Sequence, residues 1–243
     1  VSINYVNSEI GVIQPLRALT KVIRNFKKLQ AKSYPYFHTD ACQAPRFLDC
    51  RVSTLGVDLM TLNSDKIYGP QGAGCLYVRR GINLQPILRG GGQERGWRAG
   101  TENVSAVAGF AKALELCVKL KNKESARLTK LRDYFIKHLL EFPGVTLNGL
   151  LESRLPNNVN VSFTGADSES MVLGLDAVGV LASSGSACST HTENSSYVIQ
   201  ALDHNSATAN SAVRFTLSRD ITKADLDYVL KILPDILSRS RQC

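Results

Sequence analysis

Asn63-Ser64-Asp65-Lys66-Ile67-Tyr68-Gly69-Pro70-Gln71-Gly72-Ala73-Gly74 lies between two apolar runs, Val57 to Leu62 and Cys75 to Val78. Each run has the length and composition of a buried strand. Gly69-Pro70 and the glycines after it mark a turn. A lysine held where a strand enters a turn has a fixed reach. If desolvated, its pKa falls, and a neutral amine is what attacks a carbonyl. A desolvated Lys66 would therefore suit Schiff-base chemistry. The plainer alternative is a solvated turn lysine whose glycines only close a hairpin, and the stretch alone favours that alternative. The case for chemistry comes from the residues on either side.

Upstream, residues 2–6 read as a strand, followed by the polar turn Asn7-Ser8-Glu9-Ile10-Gly11. Pro15 opens a helix to about Gln30, with Leu16, Leu19, Val22, Ile23, Phe26 and Leu29 on one expected core face. Pro35 to Thr39 reads as the next strand and ends in His38-Thr39-Asp40-Ala41-Cys42-Gln43. Strand, helix and strand with a crossover form the doubly wound α/β pattern. Ligands in such sheets bind beyond the carboxyl ends of the strands. Asn7, Asp40 and Lys66 each fall just past a predicted strand.

Downstream, Arg89 to Asn103 is polar and glycine-rich, and its arginines and Thr101 suit a phosphate. Two helices are expected, Val104 to about Leu120 and about Ser125 to Leu140. Val107, Phe110, Ala111, Leu114 and Val118 stripe the first as core; Leu128, Leu131, Phe135 and Leu139 stripe the second. After Pro143-Gly144 the chain reads α+β. Strands are expected at Val145–Leu147, Asn158–Phe163, near Val180 and at Ala212–Leu217. Helices are expected near Ser168–Leu175, Tyr197–Leu202 and Thr222–Ser238. Thr222 and Asp225 have the spacing of a helix cap, and Pro234 should bend the last helix. Ser183-Ser184-Gly185-Ser186-Ala187-Cys188-Ser189-Thr190-His191 reads as a polar loop.

The totals set bounds. With 243 residues and 44% apolar content the chain supports one large domain or two modest ones. No run is long enough to cross a bilayer and no signal-peptide pattern is present, which predicts a soluble protein of the cytoplasm or an organelle matrix. The net charge of +8 comes without a nucleic-acid motif. An acidic partner, an anionic cofactor or an ordinary basic surface accounts for it. The six cysteines form no paired spacing and suit a reducing compartment, several as small buried hydrophobes. The chain opens at Val1 already in strand, so we expect it to be part of a longer chain or one trimmed by proteolysis. Exposed apolar faces near Val1 to Tyr5 would then need a compensating contact.

Five motifs in order carry a resemblance: Asn7 to Gly11, His38 to Gln43, Lys66 to Pro70, Arg98 to Thr101, and Ser183 to Cys188. From Val1 to about Leu237 the chain resembles the pyridoxal-phosphate-dependent cysteine desulfurases, class V aminotransferase-like enzymes of fold type I. The resemblance implies an α/β fold: the C-terminal part of a large cofactor domain with a mostly parallel sheet, residues 1–122, and a smaller α+β domain, residues 123–243. It implies a homodimer, pyridoxal 5'-phosphate, L-cysteine as substrate, alanine plus an enzyme-bound persulfide as products, and a sulfur-acceptor protein serving iron-sulfur cluster biogenesis. Neither nucleic acid, membrane nor metal is implied.

By the same resemblance Lys66 holds the cofactor and moves the α-proton, Asp40 pairs with the pyridinium nitrogen, and Gln43 bonds the ring oxygen. Asn63 and Thr101 serve the phosphate, the latter lent by a partner subunit. Arg214 binds the substrate carboxylate, with Asn7 and Ser8 on the substrate side. Cys188 carries the persulfide, and His38 is structural. The departures are Ser8 for an asparagine, Asn63 for a serine and Asp65 for a histidine. The family's segment before the position of Val1, with its phosphate-binding turn and ring-stacking histidine, is also missing. A carboxylate about 4 Å from phosphate costs roughly 4 kcal/mol at an effective dielectric near 20. The chain alone is therefore expected to bind the cofactor weakly or not at all. The alternatives are a desulfurase-like scaffold that dimerises or docks a partner without turnover, and another fold type I lyase such as a selenocysteine lyase.

Overall fold

In the computed structural model the apolar run before Lys66 forms strand β3 (Leu59–Asn63), the third member of a four-stranded sheet. The structure describes residues 1–185, 196–202 and 206–241, with the side chains of 206 and 207 excepted. The chain divides into two units, Val1–Tyr5 with Gln14–Lys121, and Val6–Ile13 with Asn122–Cys243.

In the first unit β1 (Ser2–Asn4), β2 (His38–Asp40) and β3 run parallel, and β4 (Gly74–Val78) returns antiparallel to β3. The observed order is β1-β2-β3-β4. Helix α1 (Leu16–Leu29) makes the crossover between β1 and β2. Short helix α2 (Val52–Leu55) ends at Gly56, whose φ of 74° is a conformation glycine adopts without strain. Leu16 and Thr20 are buried on α1, but Val22, Phe26 and Leu29 are exposed. The expected core face is therefore corrected, because polar side chains decide which side of the helix faces inward. Thr20 donates to the Leu55 carbonyl at 2.8 Å, and Lys27 reaches Asp58 at 3.0 Å.

Asp58, only 5% exposed, gathers the first unit. Its carboxylate accepts from the Phe37 amide at 2.9 Å, just before β2, and pairs with Lys27 of α1 and Arg79 after β4, both at 3.0 Å. Burial pushes this carboxyl up. The Phe37 amide, Lys27 and Arg79 outweigh that and hold it below its ordinary value.

Residues 104–139 form one helix, α3 (Val104–Leu139), rather than the two expected. No glycine or proline interrupts Lys119 to Glu124, so nothing breaks the hydrogen-bond ladder. The turn around Lys66 packs against this helix. A Cβ on Gly109 would lie 2.7 Å from Pro70 Cγ, and one on Gly69 would overlap Ser64 Oγ. Of the expected core stripe, Phe110 is buried while Val107 and Val118 are exposed.

The second unit holds an antiparallel sheet in the order β5 (Val145–Leu147), β6 (Asn158–Phe163), β7 (Ala212–Thr216). Helices α4 (Ser168–Asp176), α5 (Tyr197–Gln200), α6 (Ser206–Asn210) and α7 (Lys223–Ser240) complete it. Phe135, Leu128, Met171, Leu175, Leu226 and Leu233 are fully buried, and Phe135 meets Phe215 edge-on at 5.3 Å. Thr222 and Asp225 form the expected capping box at the start of α7. The strand expected near Val180 is only an isolated bridge, Ser183 to Arg214. Cys42, Cys50 and Cys117 are half-buried and Cys75 is exposed, so none of these four is a buried hydrophobe. No helix among the described residues is long and apolar enough to cross a membrane.

Asp58→Asn leaves two cations without their counter-charge. Because Lys27 and Arg79 keep part of their solvent contact, the loss should be about 2 kcal/mol rather than the 3–5 of a fully buried pair. Since the folded pKa is depressed, this stabilisation is present above the unfolded carboxyl pKa of about 4 and is lost as pH falls through the folded value. Urea unfolding at pH 7 and pH 3 should show parent and variant differing at pH 7 and converging in acid; an equal difference at both pH values contradicts this account.

Candidate functional site

Lys66 stands in the ten-residue connection between β3 and β4, which is closed by the pairing of Asn63 with Gly74. Asp65–Ile67 makes one tight 3-10 turn. The Gly69 amide donates to the Ser64 carbonyl at 3.0 Å and the Ser64 amide to the Ala73 carbonyl at 3.1 Å. Ser64 and Ile67 are buried on either side, which anchors the turn and leaves Lys66 outside it. Its side chain is 48% exposed, and its ammonium pairs with Asp65 at 3.1 Å. The turn thus presents the amine to solvent beside a carboxylate, as in the plainer reading of the stretch, and not desolvated as Schiff-base chemistry would need.

Asp40 is the last residue of β2 and lies opposite Thr61 of β3. Because β2 and β3 are parallel, Asp40 and the turn carrying Lys66 occupy the same carboxyl edge of the sheet. The Asp40 carboxylate accepts from the Cys42 amide at 2.9 Å and so closes the turn that follows the strand. Arg46 lies over the rings of Phe47, at 4.7 Å, and Tyr68, at 4.3 Å, joining the turn after β2 to the turn after β3. Gln43 is half-buried within the first of these turns.

Cys42 reports on this electrostatic neighbourhood. Burial, a hydrogen bond to Asp40 and the charges of Asp40 and Asp65 push its thiol up to about 12, and Lys66 opposes them. All three charges thus act on one sulfur. His38 is held within the sheet, with Nδ1 2.7 Å from Ser2 Oγ and Nε2 2.8 Å from Thr61 Oγ1. The side chain of Asn63 accepts from the Asp65 amide at 3.0 Å. Thr101 is exposed in the segment after Arg95, where Glu94 and Arg95 take left-handed φ values of 50° and 60°.

The second unit holds Asn7, Ser8 and Arg214 together. Arg214, half-buried on β7, donates to the Ser8 carbonyl at 3.2 Å. Burial pulls its guanidinium below its ordinary value and Glu9 opposes this. Asn7 shapes the turn, its side-chain oxygen accepting from the Glu9 and Ile10 amides at 2.9 and 3.0 Å. Gly11 closes the turn at φ 69°, where an added Cβ would lie 2.6 Å from Asn158. Cys188 lies outside the described residues. Glu9 and Ser196, to which no role was given from sequence, belong to this second cluster. The only signal for Glu9 was its place inside a quoted motif.

An amine, a carboxylate at the same sheet edge, and the side-chain amides of Gln43 and Asn63 form a donor set that suits a carbonyl-bearing pyridine ring. Asp65 beside Lys66 is the one group that does not suit its phosphate. Among the described residues no cluster of His, Cys, Asp or Glu could hold a metal ion.

Residues 1–229 match the family model described as aminotransferase class-V. A protein named cysteine desulfurase IscS, from Dictyoglomus turgidum, is 44% identical over 243 residues, covering 99% of this chain and 60% of that protein. A mitochondrial cysteine desulfurase from Saccharomyces cerevisiae is 42% identical, covering 97% of this chain and 46% of that one. A solved structure titled NifS-like protein superposes with a TM-score of 0.87 at 31% identity, covering 98% of this chain and 61% of that chain. The chain thus spans no more than about three fifths of the length of these relatives.

Asp40→Asn removes both the acceptor charge and the repulsion that hold Cys42 protonated. Iodoacetamide labelling of Cys42 at pH 8, followed by peptide mass spectrometry, should speed up severalfold in the variant. Labelling at the parent's rate would show that Asp40 does not act on this sulfur.

Proposed function

We propose, for a chain that belongs to the aminotransferase class-V family, that the protein containing it is a pyridoxal-phosphate-dependent cysteine desulfurase. One observation carries the reading: Lys66 and Asp40 share the carboxyl edge of parallel strands, with both charges felt by Cys42. The names of the relatives point the same way. When bound, pyridoxal phosphate supplies an electron sink for the bond that breaks at the substrate Cα.

The chain's own residues do the rest. Asp40 would keep a proton on the ring nitrogen, Gln43 would bond the ring oxygen, and Asn63 and Thr101 would bond the phosphate. Lys66, once released from Asp65, would hold the cofactor and serve as the base that takes and returns the proton at Cα. Arg214 holds the α-carboxylate through its guanidinium fork, with Asn7 and Ser8 beside it. The Cys188 thiolate attacks the substrate sulfur. The sulfur–sulfur bond forms as the carbon–sulfur bond breaks, and the carbon keeps that electron pair and takes a proton. Alanine leaves, and the sulfur stays on Cys188 as a persulfide for an acceptor protein. The protein acts as a homodimer, in which Thr101 serves the cofactor of the partner.

The Lys66–Asp65 ion pair favours the second reading, a desulfurase-like scaffold without turnover, because the pair occupies the amine. Alanine release from L-cysteine, with and without added pyridoxal phosphate, separates the two. The desulfurase reading expects cofactor-dependent alanine, lost in Lys66→Ala and reduced at least about 100-fold in Cys188→Ser. No alanine from the parent protein would leave the scaffold reading; full turnover in Cys188→Ser would refute the persulfide role.

A further inference from the structure

Glu9 is a carboxylate only 2% exposed, on the turn between the bridged residues Val6 and Ile13. Burying a charge is costly unless it is compensated. The turn that carries it is fixed on all sides. Asn158 and Asn160, on the polar face of β6, donate their amides to the Glu9 backbone carbonyl at 2.9 and 3.1 Å. Asn7 accepts the Glu9 amide at 2.9 Å. The side chain is fixed as well, because Ser196 Oγ donates to Glu9 Oε2 at 2.6 Å while capping α5.

The cation that feels this carboxylate is Arg214. The two side chains make no direct ion pair. Arg214 instead donates to the carbonyl of Ser8, the residue next to Glu9. Its backbone exchanges two hydrogen bonds with Ser183, at 3.1 and 2.7 Å. A guanidinium has five N–H donors. Among the described residues Ser8 takes one of them. An arginine fork binds an anion well only if its orientation is fixed, and the Ser8 carbonyl, on the turn that Glu9 anchors, contributes to that orientation.

We propose that Glu9 is a positioning residue for the substrate carboxylate: its carboxylate, held by Ser196, and its backbone carbonyl, clamped by the two asparagines of β6, fix the turn whose Ser8 carbonyl orients the Arg214 guanidinium for an α-carboxylate ligand. The inference rests on the reading of Arg214 given above. It identifies the 6–13 segment as the support of the substrate end, and the Asn158/Asn160 clamp as what fixes that support.

The test is calorimetric binding, to the cofactor-loaded protein, of S-methyl-L-cysteine, which keeps the α-carboxylate, and of 2-(methylthio)ethylamine, which lacks it. Glu9→Gln should weaken the carboxylate ligand about tenfold and leave the amine within about twofold. The KM for L-cysteine should rise by a similar factor with kcat within about twofold. Ser196→Ala should weaken the carboxylate ligand severalfold, and Ser196→Thr, which keeps the hydroxyl, should restore it; this pair decides the matter if Glu9→Gln does not fold. Parent-like binding of both ligands by folded Glu9→Gln, while Arg214→Lys loses the carboxylate ligand, overturns the inference alone. Equal weakening of both ligands would also overturn it, because a general structural role moves both. If the parent does not bind S-methyl-L-cysteine, or Arg214→Lys binds it as the parent does, the reading of Arg214 fails and the inference with it.

Discussion

The carboxylate of Asp58 is the constraint on which the first unit depends. It sits where β2 and β3 begin and binds the Phe37 amide, Lys27 and Arg79 together. A parallel pair has no hairpin turn to set its register, so the register must be fixed by contacts at one end. With Phe37 and Asp58 joined there, Asp40 falls opposite Thr61 at the far end. A slip of one residue would turn every side chain of β2 to the other face and take Asp40 away from the Lys66 turn. The chemistry proposed at the carboxyl edge is thus set by an ion-pair hub at the amino edge.

In the second unit the corresponding constraint is polar and buried. β6 alternates Asn158, Asn160 and Ser162 with Val159, Val161 and Phe163, and both faces are closed to solvent. The polar face is satisfied from neighbouring segments. Asn148 donates to Asn160 and Ser162, Arg154 donates to Asn158, and the two asparagines donate to the Glu9 carbonyl. Buried polar side chains are costly without partners, so these bonds tie the short 6–13 segment in place. Arg132 extends it by donating to the carbonyls of Arg154 and Leu155.

Much of the sheet edge was legible because it is written in local patterns. The run before Lys66, the Gly69-Pro70 turn and the motif ending in Gln43 each state their own conformation. The Thr222–Asp225 cap was legible for the same reason. What could not be read depends on partners far along the chain. Val22, Phe26 and Leu29 read as a core face, but Thr20 and Lys27 turn the other side inward through Leu55 and Asp58. The alternation of β6 gives no sign that its asparagines are covered, since one of their partners, the Glu9 carbonyl, lies about 150 positions away. The ion pair of Lys66 with its own neighbour was visible as a sequence, but which way the two side chains point was not. The continuity of α3 is an intermediate case: the lysine-rich stretch near its middle invites a break that no residue enforces.

The central claim is that the amine of Lys66 and the carboxylate of Asp40 face one bound pyridine ring at the carboxyl edge of β2 and β3. Crystallography of the protein grown with pyridoxal phosphate tests this most directly. The account predicts continuous electron density from Lys66 Nζ to the cofactor, with the Asp40 carboxylate in hydrogen-bond range of the ring nitrogen and the Asp65 contact released. A cofactor seated away from that edge, or a Lys66 still paired with Asp65 at saturating cofactor, would contradict it.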